Sequence, residues 1–333
     1  MGNIEKIDIV VTWVDGADEK WRQERDAYRE PEDSNGENRY RDWGLMRYWF
    51  RGIEKFAPWV NKVYFVTWGH IPEWLNTKNR KLAIVNHEDY IPKKYLPTFS
   101  GHPIELNLHR IEGLSERFIY FNDDMFLTGM TEPEFFFENG LPKDTCVEST
   151  VMQGDYNDMF AHILVNTCSV INMHYDKKQV IKTHRKKWFS KVYGKDVVRN
   201  YLLYPFRQFS SFKFYHLPNS FLKSSFEAVW DMEGDLLDQV CRNKFRTIRD
   251  INQYVFRYYQ LVNGIFSPRS PRYGRFFMPE RDDLEEICQS IEKSKYKMIC
   301  VNDDVEEERL DEVIHRLQQS FEILLPDKCS FEK

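Results

Sequence analysis

The segment IDIVVTWVDG, residues 7–16, decides how the chain is read. It opens with a run rich in β-branched and aromatic side chains, as a buried parallel strand requires, and Asp15-Gly16 closes it with turn-forming residues. Three more runs read the same way: KVYFVTW (62–68), KLAIVN (81–86) and RFIYF (117–121). A fifth, KMICV (297–301), comes far downstream. Between the first two runs lies a helix, in which Leu45, Tyr48, Trp49, Gly52, Ile53 and Phe56 recur at helical spacing until Pro58 stops it. Strands alternating with helices specify an α/β fold built on a mostly parallel sheet flanked by helices.

Working outward, 333 residues of which 42% are hydrophobic and 16% aromatic can bury a large core, and one domain over residues 1–333 accounts for them. Residues 146–210 change character and read as a helical insertion or subdomain within it. There KKQVIKTHRKKWFSK (177–191) sets basic residues around Val180, Ile181, Trp188 and Phe189. That pattern is either a solvated basic helix face or a surface touching anionic lipid or polyanionic product, and so a peripheral membrane contact. Leu310, Val313, Ile314, Leu317, Phe321 and Leu324 form an amphipathic stripe expected to pack into the core. A net charge of -5, from 47 basic and 52 acidic residues, argues against a nucleic-acid partner. The six cysteines are scattered, with neither zinc-site pairs nor disulfide density, and read as free thiols. The N-terminal run carries charge and lacks a cleavage site, and nowhere do eighteen apolar residues run together, so neither classical secretion nor a membrane span is expected.

In open parallel sheets, ligands bind beyond the carboxyl ends of the strands. Acidic residues stand there repeatedly: Asp15-Gly16 after the first run, Asn122-Asp123-Asp124 after the fourth, and Asn302-Asp303-Asp304 after the last. If the last strand joins the same sheet, three acidic clusters meet at one edge. Carboxylates so crowded repel one another unless a cation neutralises them, and hard oxygen donors suit Mg²⁺ or Mn²⁺. Each acid alone could simply form a turn. A metal at such an edge bridges phosphates, which points to phosphate chemistry but leaves open which bond breaks.

These residues resemble the Stealth proteins, bacterial capsular polysaccharide phosphotransferases similar to the catalytic subunit of animal N-acetylglucosamine-1-phosphotransferase. The resemblance runs through DIVVTWVDGAD (8–18), then NRYRD (38–42), GIEKFAPWVNKVYFVTWGHIPEWL (52–75) and HRIEGLSERFIYFNDDMF (109–126), then HLPNSF (216–221) and FRTIRDINQ (245–253), and finally ICVNDD (299–304). Trp43 and Trp68 depart from it, standing where Asn or another small polar residue is expected. The resemblance implies a glycosyltransferase-A-like Rossmann-type fold and a UDP-sugar donor, with N-acetylhexosamine favoured. It further implies attack by a saccharide hydroxyl on the phosphate next to the sugar, UMP as leaving group, and cytoplasmic work in capsular or exopolysaccharide synthesis at the inner membrane face.

On the same resemblance, Asp124 and Asp303 are expected to hold the metal, with Asp123 as a third ligand. Trp13, Asp15, Gly16 and Asn122 would form the donor edge. His216 would be the general base, with Asp124 or Asp123 as competitors, and Arg246 or Arg249 would clamp the donor phosphates. Arg39 and Asp42 would form an ion pair or line the donor pocket. One of His109, Arg110 and Glu112, which closely precede the NDD strand, would reach the nucleotide or sugar, and Lys223 would touch phosphate or remain a surface lysine. Two other readings stand beside this one: a conventional UDP-sugar glycosyltransferase that releases UDP, and a non-catalytic carbohydrate-binding protein.

Overall fold

The computed structural model describes residues 6–29, 36 and 40–333. Strand β1 (Ile7–Thr12) is buried almost throughout. Its one charged side chain, Asp8, accepts hydrogen bonds from Asn61 Nδ2 at 2.6 Å and Ser115 N at 2.8 Å, so a carboxylate is tolerated inside. Those bonds also tie the start of β1 to the segments that enter its two neighbours. β1 lies between β2 (Val63–Thr67) and β4 (Arg117–Asn122), and β3 (Leu82–Asn86) flanks β2, all four running parallel. Later strands are β5 (Met125–Leu127), β6 (Phe137–Glu138), β7 (Leu141–Asp144), β8 (Asn219–Leu222), β9 (Ser267–Pro268), β10 (Arg275–Phe277) and β11 (Met298–Val301). β8 closes the main sheet antiparallel to β4, giving the order β3-β2-β1-β4-β8.

Alternate side chains feed two cores. Ile9, Val11, Ile119 and Phe121 join Trp49, Phe50 and Ile53 of the helix Met46–Phe56 and Leu317 and Phe321 of the helix Leu310–Leu324. Val10, Phe118 and Tyr120 face the other way, against Leu106, Phe226, Val229 and Phe256. Both amphipathic stripes read from the sequence therefore pack as core.

The sheet differs from expectation at its last strand. β11 does not extend the parallel sheet; it pairs antiparallel with β5 and parallel with β10 in a separate three-stranded sheet. Because β5 follows β4 after only Asp123 and Asp124, the second sheet still abuts the first, and Val301 N donates to the Asp124 carbonyl at 3.0 Å. The third sheet, β6-β7-β9, lies beside the entry to residues 146–210. That segment builds the helices Met159–His174, Lys177–Thr183, Arg185–Trp188 and Val197–Leu203. They share a core of Cys168, Ile171, Ile181, Trp188 and Phe209 with Tyr258 and Leu261 of the helix Tyr254–Val262. All six cysteines are free and buried.

Candidate active site

In the order β3-β2-β1-β4, the chain reverses its direction of progress between β1 and β4, and the two strands' carboxyl ends part there, the place where open α/β sheets hold ligands. Thr12, Trp13 and Val14 line one wall of the resulting cleft; Tyr120, Asn122 and Asp123 line the other. Tyr40, Phe99, Gly101 and Arg246 complete it. Asp123 keeps some exposure at the wall, yet desolvation, followed by the charges of Asp124 and Asp42, pushes its carboxyl up to about 8.

Glu105, from the helix Gly101–Leu106, also faces this cleft and was not singled out in the sequence. It accepts from Tyr120 Oη at 3.2 Å and from Gln253 N at 3.3 Å. Burial raises its carboxyl to about 7 against the opposing pull of Arg246. Arg246 has no hydrogen bond or ion pair of its own among the described residues, whereas its loop is tightly held. The Asp250 carboxylate accepts from Thr247 N (3.0 Å), Thr247 Oγ1 (2.8 Å) and Asn243 Nδ2 (2.8 Å) and pairs with His102 Nδ1 at 2.8 Å. The loop is thus ordered and the guanidinium left for a ligand. Arg249, three residues on, is exposed outside the cleft.

Beyond Asp123, the chain turns into β5 and presents Asp124 to His216. His216 Nε2 lies 3.2 Å from Asp124 Oδ2, and the Cys300 thiol donates to the same oxygen at 3.2 Å. Burial and Asp124 keep that thiol protonated. His216 holds φ at 45°, a left-handed backbone uncommon for a residue with a Cβ, and its ring is flanked by Phe214 and Phe276. Asp124 Oδ1 and His216 Nδ1 are both buried without a hydrogen-bond partner. Ligand atoms of Asp124, His216 and Cys300 lie within 4.8 Å of one another. The bare Oδ1 of Asp124 fits a divalent cation, which would satisfy the oxygen that the protein leaves without a donor.

Asp303 is not gathered with these groups. Its carboxylate accepts from Val305 N at 3.1 Å and Trp43 Nε1 at 3.3 Å and lies 3.5 Å from Arg41 Nη1. Trp43, which departs from the small polar residue expected there, therefore supplies a donor to an acid. Trp68 likewise donates to Glu24 at 3.0 Å. Asp15 receives a bond at Oδ1 from Ala17 N, while its own N donates to His70 Nε2 at 3.1 Å. Gly16 is required by crowding from the protein itself, since a Cβ there would fall 2.0 Å from the Tyr40 carbonyl oxygen. Asp42 sits at the exposed rim and caps Gly44 N. Arg39 lies outside the described residues.

His109, Arg110 and Lys223 are not brought to the cleft. His109 is buried against Phe226 and Trp230, which lowers its pKa to about 3, and Arg110 stacks over Trp230 at 4.7 Å. Lys223 follows β8 at the end where Leu222 pairs with Arg117, the opposite end of β4 from Asp123. Nearness in sequence to β4 misleads here, because a strand separates its two ends.

Stealth protein conserved region 1 matches residues 5–30, conserved region 2 matches 39–144 and conserved region 4 matches 289–333. The capsular polysaccharide phosphotransferase WcwK of Streptococcus pneumoniae is 41% identical over 100% of both chains. The chain belongs to the Stealth family. The exopolysaccharide phosphotransferase cps2G of Lactiplantibacillus plantarum is 41% identical, covering 98% of this Stealth chain and 96% of its own. The receptor polysaccharide phosphotransferase WefC of Streptococcus gordonii is 38% identical over 99% of each. The Stealth chain is accordingly a phosphotransferase. Among solved structures, the galactosyltransferase LgtC in complex with donor and acceptor sugar analogues covers 92% of this chain and 95% of its own at 11% identity. Its TM-score of 0.41 marks a loose likeness from which no residue role is carried over. The matched Stealth regions hold Asp15, Asp123, Asp124 and Asp303; His216 and Arg246 lie between them and are placed by the fold alone.

Proposed function

We propose that this Stealth protein transfers a hexose-1-phosphate, with N-acetylhexosamine-1-phosphate favoured, from a UDP-sugar to a carbohydrate hydroxyl during capsular or exopolysaccharide synthesis. The acceptor oxygen bonds to the phosphorus that carries the sugar, the bond from that phosphorus to the UMP oxygen breaks, and the acceptor proton passes to the enzyme. The observation that carries the reading is the meeting of Asp124 and His216 beside a cleft where Arg246 stands without a partner.

In this reading, Asp124 orients the His216 ring by accepting from Nε2–H, which leaves Nδ1 to take the acceptor proton. Phe214 and Phe276 flank the ring, and the acceptor hydroxyl would have to reach the buried Nδ1 beside them. Arg246 presents its fork to the phosphate oxygens, and the Glu105 carboxyl lies close enough to feel its charge. Trp13, Asn122 and Asp123 shape the donor wall. When bound, Mg²⁺ or Mn²⁺ would be held by Asp124, with Asp123 as a further oxygen donor, and would supply charge neutralisation at the phosphates.

Among the described residues no helix is long and apolar enough to cross a membrane, and the reading puts the reaction in the bacterial cytoplasm at the inner membrane face. Incubating the protein and Mg²⁺ with a panel of UDP-hexoses and a saccharide acceptor tests it. Acceptor-dependent UMP release is expected, whereas UDP release would assign a conventional glycosyltransferase, and release of neither would leave a carbohydrate-binding protein.

A further inference from the structure

The helix Val197–Leu203 and the residues after it carry an apolar face that, beyond the packing of Phe189 on Tyr201 at 4.4 Å between ring centroids, the described residues leave open. Val198, Tyr201 and Leu202 stand at i, i+3 and i+4, one side of a helix, and are 52%, 56% and 68% exposed. Phe206, a turn further on, is 62% exposed. The segment does not lack a core, because Ile181, Trp188 and Phe209 of the same stretch are buried. This face is therefore surplus to folding, and clustered exposure of large apolar residues marks an interaction surface.

Its charge says what kind. Residues 178–207 hold nine Lys or Arg against a single acid, Asp196, within a chain of net charge -5. Eight of those basic side chains are exposed, and Asp196 is already paired with Lys213 at 2.7 Å. Lys182, Lys186, Lys191, Lys195 and Arg207 have no ion-pair partner among the described residues. A polyanionic polymer would match this charge but leave Leu202 and Phe206 in water. A second copy would bring like charges together. An anionic bilayer answers both features, since apolar side chains enter the acyl boundary while Lys and Arg stay among the phosphates.

We propose that the face formed by residues 178–207 docks this transferase onto an anionic lipid surface. The proposal stands apart from which phosphate bond is broken.

The full-length protein should co-sediment with phosphatidylcholine vesicles containing phosphatidylglycerol and not with phosphatidylcholine alone, and added salt should release it. Leu202→Asp with Phe206→Asp, and separately Lys191→Glu with Lys195→Glu, should each lower binding by roughly tenfold or more while leaving the melting temperature unchanged, because all four side chains are exposed. Failure to bind either vesicle, equal binding to both, or variants that bind like the parent would overturn the proposal. So would capture by a soluble anionic polysaccharide that survives Leu202→Asp, which would assign the face to polymer. Self-association abolished by Leu202→Asp would overturn it in favour of a second copy.

Discussion

The tripeptide Asn-Asp-Asp follows a strand twice in this chain, at residues 122–124 and 302–304, and the two copies meet different fates. After β4, Asp123 faces the cleft with its carboxyl raised to about 8, and Asp124 keeps Oδ1 bare while holding His216. After β11, Asp303 is answered by Trp43, Arg41 and Val305 N; Asp304 accepts at Oδ1 from Glu280 N at 3.1 Å, while its Oδ2 is buried without a hydrogen bond and has Arg281 Nε 3.9 Å away. The same tripeptide thus differs in chemistry, because segments remote in sequence decide what answers each acid: His216 and the Cys300 thiol at Asp124, guanidinium groups at Asp303 and Asp304. A buried carboxylate oxygen without a donor costs stability, and at Asp124, where no guanidinium among the described residues stands near, a bound cation would offset that cost.

Breaking the first copy should have the largest effect. Asp124→Asn is expected to lower acceptor-dependent turnover by about 10³ or more, as loss of a metal and base-orienting group does, with a melting temperature no lower than the parent's. Asp303→Asn should cost less, roughly 10- to 100-fold, because Arg41 and Trp43 already compensate that carboxylate. Steady-state rates of both variants, with calorimetric titration of Mg²⁺ or Mn²⁺, check this. Equal losses of rate and metal affinity would mean that Asp303 moves to the same centre when donor binds.

Next in size is His216→Gln, expected to lower turnover by about 10² to 10⁴ and to remove the acid limb of the pH profile while leaving donor affinity nearly intact. Arg246→Ala should instead raise the donor dissociation constant by roughly 10- to 100-fold and keep that limb, and Arg249→Ala should change it by less than about twofold. Donor titrations of the three variants separate the roles. An Arg249 effect as large as that of Arg246 would contradict the placement of Arg249 outside the cleft.

The smallest effect is on stability and concerns Glu105. Its carboxyl titrates near 4.5 when unperturbed and is raised to about 7 in the fold, so between those values the folded chain keeps a proton that the unfolded chain has lost. This group's contribution is therefore fully present below about pH 4.5 and is lost as pH rises through about 7. Glu105→Gln should flatten the fall in melting temperature between about pH 5 and about pH 8 by a few degrees. An unchanged slope would mean that Arg246 already holds Glu105 ionised.

The strands that form the cleft were legible because their runs are local and apolar, and Asp15, Asp123 and Asp124 could be found simply as polar residues placed just past the strand ends. Partners were not. The pairing of β11 with β5 joins residues more than a hundred positions apart, and short apolar runs carry no mark of which sheet they enter. Glu105 reads as an ordinary helical acid until Tyr120 and Gln253 close over it. The basic stretch at 177–191 gave both of its readings at once. Folding buries Val180, Ile181 and Trp188 and leaves Lys182, Lys186 and Lys191 outside, an arrangement common to both readings.

The claim that this centre breaks a phosphate bond, and not the sugar's anomeric bond, is tested most directly by following one atom. A UDP-sugar carrying a heavy-oxygen label in the bridge between the anomeric carbon and its phosphate is turned over with acceptor, and both products are weighed by mass spectrometry. The account predicts that the label stays with the sugar in a new phosphodiester on the acceptor, with unlabelled UMP released. Label recovered in UDP, with the acceptor carrying sugar but no phosphate, would contradict it.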